Sequence, residues 1–333
     1  MKKVKIVVHL TILFFLVLFS SCTTREKVKQ PINVEYIKKY KNHEIYKLHK
    51  NSSRGYNYDT YILLPSDNKE YNIRNVLVTP NNNGYPASLE KLDECVIHSI
   101  TDSWEGKIAH SLNTVSIFPV FPRTEEIYYH AFGRDAYYAT GRAHKLDKQL
   151  ICIINDVKEF AISEKKIETN DKILLSGISA NACFSLRFAA LHAEMVETVA
   201  AGVPGIFPIF PTKEFPYPFG VRDITFNYEA WKEIKMLIYE GDSEKDTPWN
   251  EYQTMLKETS STSHIEAWRK AIPKYLKETK YTEILIYKNT GHEGQLSEMI
   301  EFFQKNSNGS QFTPVEPLKE AEIYLSPGVT MAE

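Results

Sequence analysis

Short apolar runs alternate along this chain with longer stretches of helical periodicity. Tyr58 to Leu64 and Asn75 to Val78 read as strands bounded by turn-rich segments such as Pro65-Ser66-Asp67-Asn68. Ala87 to Leu112 carries Leu89, Leu92, Val96, Ile97 and Ile100 on one stripe, which predicts a helix with one buried face. Val115 to Phe121 reads as a strand, with Pro119 near its end where a missing ladder donor matters least. A helix follows over Leu146 to Phe160, then a short apolar strand, Ile173 to Leu175, and a helix rich in Ala, Phe and Leu over Ala180 to His192. Val196 to Val203, Ile234 to Tyr239 and Ile284 to Tyr287 are further apolar runs, and Leu296 to Phe303 is a late helix.

Strands without a polar face belong in the middle of a sheet covered on both sides. Alternating with amphipathic helices, they predict an α/β fold: a doubly wound, mostly parallel sheet with helices on both faces. The chain of 333 residues is long enough to bury such a core without disulfide or metal staples. One segment breaks the pattern. Residues 207–220 hold Pro208, Pro211, Pro216 and Pro218 among several aromatics, a density that blocks both helix and ladder. It reads either as a lid over a pocket or as the filling of a groove.

The N-terminus follows different rules. Lys2, Lys3 and Lys5 precede an apolar run from Ile6 to Phe19, and Ser20-Ser21-Cys22 follows. That run is shorter than the roughly 20 residues of a membrane span. The pattern resembles a bacterial lipoprotein signal, in which the cysteine is acylated and becomes the mature N-terminus; an ordinary secretory signal is the alternative. The expected organisation is a signal over 1–21, a tether over 22–33 beginning at the lipidated Cys22, a domain over 34–310 and a C-terminal extension over 311–333. It implies an extracytoplasmic protein held on the bacterial cell membrane by its lipid.

Loss of residues 1–21 removes three lysines and no acids, which takes the formal charge from −2 to −5. No basic patch dominates, so nucleic acid is not an expected partner. Cys95, Cys152 and Cys183 are odd in number and widely spaced, and read as small buried hydrophobes rather than a disulfide framework. There is no Gly-x-Gly-x-x-Gly, no Gly-x-x-x-x-Gly-Lys, no His-Glu-x-x-His and no Cys-x-x-Cys. Neither a cofactor nor a metal is expected.

Candidate chemistry begins at Ser176-Gly177-Ile178-Ser179-Ala180-Asn181, directly after an apolar strand and directly before an apolar helix. A serine in such a turn has its hydroxyl pushed clear of the sheet, and the helix N-terminus beside it favours a developing oxyanion. Val76-Leu77-Val78-Thr79-Pro80-Asn81-Asn82-Asn83-Gly84 ends an early strand in residues that tolerate left-handed backbone. Gly291-His292-Glu293 follows the last long apolar run, and Phe118-Pro119-Val120-Phe121-Pro122-Arg123 ends another.

With Arg187 to His192, these segments resemble the α/β-hydrolases, in particular a bacterial group related to esterases, depolymerases and dienelactone-type hydrolases. The likeness spans roughly residues 55–305. It implies a serine hydrolase, most simply a carboxylic-ester hydrolase acting on a small or medium ester through an acyl-enzyme. Ser179 would be the nucleophile and His292 the base. The N–H of Ala180 and one donor from Asn81 or Asn82 would form the oxyanion hole.

The family's acid position, laid on Gly241-Asp242-Ser243-Glu244-Lys245-Asp246-Thr247-Pro248, falls on Glu244, with Asp246 and Asp242 as competitors. Asn181 departs from the family's Gly-x-Ser-x-Gly, and a bulkier residue there needs a wider gap to the next strand. Arg134 and Asp135 either line the site or form a structural ion pair. Two other functions share the same residues: a serine peptidase, and a lipoprotein that keeps the fold only to bind.

Overall fold

Buried side chains alternate between the two faces of a single sheet, and this alternation sets the architecture. A computed structural model of the protein describes residues 30–66, 73–82, 89–122, 141–204, 226–244, 256–257, 259–327 and 329. The signal segment, Cys22, Asn83, Gly84, Arg134, Asp135, the 207–220 excursion and Asp246 lie outside the described residues. The domain itself runs from Ile32 onward.

Its described strands are β1 (Val34–Tyr40), β2 (His43–Leu48), β3 (Thr60–Pro65), β4 (Arg74–Val78), β5 (Val115–Pro119), β6 (Thr169–Ile178), β7 (Val196–Gly202), β8 (Lys235–Gly241), β9 (Tyr281–Tyr287) and β10 (Ala321–Leu325). They form one sheet in the order β1-β2-β3-β5-β4-β6-β7-β8-β9-β10. The six strands from β5 to β9 in this order are parallel. β1, β2 and β3 add antiparallel strands at one side and β10 adds one at the other. The predicted doubly wound α/β fold is the fold observed.

Period-two alternation gives each central strand two apolar faces. Val76, Ile173, Leu175, Val199, Ile238 and Ile284 point into one core, shared with α3 (Leu146–Lys165), α4 (Ala180–Leu191) and α6 (His264–Glu278). Leu77, Leu174, Ala200, Leu237 and Leu285 point into the other, shared with α1 (Leu89–Asp102), α2 (Trp104–Leu112) and α7 (Leu296–Asn306). Short α5 (Tyr228–Lys232) precedes β8 and adds Trp231 to the first core.

Three expectations change in detail. The single helix predicted over Ala87–Leu112 is two helices, because Ser103 is fully extended (φ −104°, ψ −179°) and breaks the ladder between them. The stretch 311–333, set apart by sequence, contributes β10 to the same sheet. Cys95, Cys152 and Cys183 form no disulfide, but only Cys183 is buried; Cys95 and Cys152 are half-buried.

Candidate active site

The site is built at the C-terminal ends of the parallel strands, where open α/β sheets bind their ligands. β6 ends at Ile178 and α4 begins at Ala180, so Ser179 alone makes the turn between them. Its backbone lies at φ +66°, ψ −127°, a conformation that non-glycine residues rarely adopt. Three backbone bonds hold it there: Ser179 N–H donates to Gly202 O of β7 at 2.8 Å, and Ser179 O accepts from Ala182 N–H at 3.0 Å and from Cys183 N–H at 3.2 Å. Gly177 makes the turn possible. A Cβ there would lie 2.4 Å from the backbone nitrogen of Ala182, inside the first turn of α4. The N–H of Ala180, first residue of α4, has no carbonyl one turn back to pair with.

The loop after β8 and the loop after β9 are joined by their backbones. Asp242 N–H donates to Tyr287 O at 3.0 Å and Ser243 N–H donates to Thr290 O at 2.9 Å. Gly241 allows this closeness, since a Cβ would meet Thr290 O at 2.2 Å. The pairing carries Glu244 to His292, with Glu244 Oε2 3.2 Å from Nδ1 of the imidazole. That distance suits an ion pair, though its alignment falls short of a hydrogen bond. Glu244 is 14 % exposed and His292 47 %, so the carboxylate is shielded while the imidazole is open to solvent. The histidine loop also touches the serine turn, because a Cβ on Gly294 would lie 2.7 Å from Cδ1 of Ile178.

Of the three candidate acids, Glu244 therefore stands beside His292. Asp242 accepts the Ser243 hydroxyl at 3.0 Å, and Asp246 lies outside the described residues. Asn81 and Asn82 follow β4 toward the same end of the sheet. Asn81 is buried, its Nδ2 donating to Phe121 O at 2.6 Å, and Asn82 is half-buried. Among the described residues, no group of three His, Cys, Asp or Glu side chains is arranged to hold a metal ion.

Solved structures share this arrangement of strands. The chain is similar to poly(aspartic acid) hydrolase-1 from Sphingomonas sp. KT-1, with a TM-score of 0.52 at 14 % identity, over 84 % of this chain and 98 % of that one. It is similar also to a poly(3-hydroxybutyrate) depolymerase from Bordetella parapertussis, with a TM-score of 0.51 at 15 % identity, over 81 % and 92 % of the two chains. The chain has the α/β-hydrolase fold. No family model matches its sequence, and no curated protein matches it either.

Within the α/β-hydrolase fold, the hydrogen bonds of Asn181 and two buried side chains of β8 are not evident from the sequence. Asn181 carries hydrogen bonds to both sides of a gap between strand ends. Tyr239 of β8 accepts the Gln295 N–H at 2.8 Å through its hydroxyl, and burial pushes its phenol pKa well up. Glu240 of β8 is fully buried, 3.5 Å from Nε2 of His264, whose ring stacks on Trp268. The apolar strand pattern hid Tyr239 and Glu240. Asn181 was visible only as a departure from glycine.

Proposed function

We propose that this chain is a serine hydrolase cleaving carboxylic esters through an acyl-enzyme. The observations that carry the reading are the pairing of Glu244 with His292 on two zipped loops at the C-terminal ends of β8 and β9, and a serine held at positive φ at the C-terminal end of β6. Glu244 lies on the Nδ1 side of the ring, which leaves Nε2 to take a proton from Ser179. As the Ser179 oxygen bonds to the acyl carbon, its proton passes to His292. The carbonyl oxygen becomes an oxyanion facing the Ala180 N–H and a donor from Asn81 or Asn82. Collapse expels the alcohol, which leaves with the proton from His292. Water then gives a proton to His292 and attacks the acyl carbon, and release of the acid restores the Ser179 hydroxyl.

The neighbours at fold level are named as a poly(aspartic acid) hydrolase and a poly(3-hydroxybutyrate) depolymerase, which is consistent with acyl transfer to water. In the same reading Cys22 carries the lipid, and the domain works outside the cytoplasm at the membrane surface. The support is the basic start, the short apolar run and the small residues before Cys22.

A fluorophosphonate probe tests the chemistry. Soluble protein lacking residues 1–22 is expected to be labelled on Ser179 and to hydrolyse p-nitrophenyl esters. Equal labelling of Ser179→Ala, or no labelling of the wild type, refutes it. For the anchor, full-length protein is expected to take up radiolabelled palmitate and Cys22→Ser to take up none.

A further inference from the structure

Asn181 stands where the family pattern has glycine, and its carboxamide joins two pieces of backbone. Oδ1 accepts the Ile178 N–H at 2.5 Å, and Nδ2 donates to Pro80 O at 2.8 Å. The side chain is completely buried. Ile178 immediately precedes Ser179, and Pro80 immediately precedes Asn81 and Asn82.

The location of this bridge matters. β4 and β6 pair as far as Val78 and Leu175, and beyond that register the two strand ends separate. Thr79 and Ser176 hydroxyls meet across the opening gap at 2.7 Å, and Asn181 spans it one step further on. The chain of contacts then continues, since Asn81 Nδ2 donates to Phe121 O beyond β5. A glycine at 181 lets backbones approach directly. An asparagine sets a wider gap and fixes its width with one acceptor and one donor, each specific to one side.

We propose that Asn181 is a positioning residue for the oxyanion hole. It holds the Pro80–Asn82 backbone at a set distance from the Ser179 turn, so that the Ala180 N–H and the donor from Asn81 or Asn82 converge on one oxygen. This rests on Ser179 being the nucleophile. An aspartate at 181 keeps the acceptor for Ile178 but turns an oxygen toward Pro80 O, and a glycine removes both bonds.

The test compares Asn181→Asp and Asn181→Gly with wild type on p-nitrophenyl acetate, with rates normalised to sites titrated by fluorophosphonate. Loss of a well-aimed oxyanion donor costs about 10²–10³ in kcat, and misplacement of one is expected to cost about 10–100-fold. KM stays within about twofold, and affinity for phenylboronic acid, a mimic of the tetrahedral intermediate, falls in proportion to kcat/KM. A role in folding alone lowers the number of titrated sites and leaves these ratios unchanged. Per-site kcat near wild type in both variants, or unchanged boronate affinity, overturns the proposal. Hydrogen exchange supplies an arm that needs no activity: the Asn81 and Asn82 amides exchange faster in Asn181→Gly while β8 and β9 do not. Unchanged exchange at 81–82 also overturns it. A wild type that takes no label at Ser179 instead overturns the hydrolase reading, and exchange alone then decides on the clamp.

Discussion

Glu244 Oε2 lies 3.2 Å from His292 Nδ1, and the two residues are brought together by backbone bonds rather than by their own attraction. The Asp242–Tyr287 and Ser243–Thr290 hydrogen bonds persist when the carboxylate is neutralised, so Glu244→Gln keeps the loops in place. The imidazole then loses the anion that orients it and stabilises its protonated form. A fall in kcat of about 10²–10⁴ with KM nearly constant is expected, by analogy with the neutralised acid of other triads. Asp242→Asn, at a residue whose side chain accepts the Ser243 hydroxyl rather than facing His292, is expected to retain wild-type turnover. Ester hydrolysis that survives Glu244→Gln but disappears in Asp246→Asn moves the acid to Asp246.

Much of this geometry is legible in the sequence because the central strands are apolar on both faces and the helices between them are amphipathic. β6, the Ser179 turn and α4 follow from that contrast, as does the late loop that carries His292. The margins of the sheet are harder. β1 pairs with β2 through a register shift between Tyr36 and Lys38, and this irregularity destroys the alternation that marks an edge strand. β10 is half-exposed along most of its length, so its apolar residues form no run that sequence reading can distinguish from a tail. The family pattern places Glu244 at the acid position ahead of Asp246 and Asp242, but its approach to His292 depends on the backbone pairing of two loops about 45 residues apart, a long-range fact that no local pattern carries.

Gly202 and Tyr239 make a tight pair on adjacent strands. A Cβ on Gly202 would lie 2.1 Å from Cζ and the hydroxyl oxygen of Tyr239. Gly202→Ala therefore has to displace a buried ring whose hydroxyl holds Gln295, three residues after His292. Destabilisation of about 1–3 kcal/mol is expected, as for other overpacked core sites. Combination with Tyr239→Ala removes the clash, so the double variant loses less stability than the sum of the two single losses. Strict additivity in urea unfolding contradicts the contact.

Arg54 and Asp156 tie the loop before β3 to the middle of α3. Arg54 Nη2 donates to Asp156 Oδ1 at 2.6 Å, and Tyr56 donates its hydroxyl to Asp156 Oδ2 at 2.8 Å. Both charges are almost fully buried. Asp156→Ala leaves the buried guanidinium the half-exposed Glu159, at 3.1 Å, as its carboxylate partner and is expected to cost about 3–5 kcal/mol. Replacing both, as Arg54→Met with Asp156→Leu, is expected to recover most of that loss. Because the pair is shielded from solvent, the Asp156→Ala deficit measured by denaturation changes little between low and high salt.

Glu283 supplies a pH dependence unconnected with catalysis. Its carboxyl sits on β9, fully buried, with Oε2 accepting the Val315 N–H at 2.9 Å. Burial pushes its pKa up from 4.5 to about 7, against the pull of that hydrogen bond and of Lys305 and with the added repulsion of Glu301. The folded protein therefore keeps a proton that the unfolded chain gives up above pH 4.5. Stability from this group is complete below that pH and is lost as pH rises toward 7. The full loss is on the order of 3 kcal/mol, since a tenfold change in an acidity constant corresponds to about 1.4 kcal/mol. Glu283→Gln keeps an oxygen for Val315 and has no proton to lose. Urea unfolding between pH 5 and 8 is expected to show wild-type stability falling relative to this variant, with the difference levelling off above pH 7. Parallel curves for the two proteins mean that Glu283 is already ionised throughout that range.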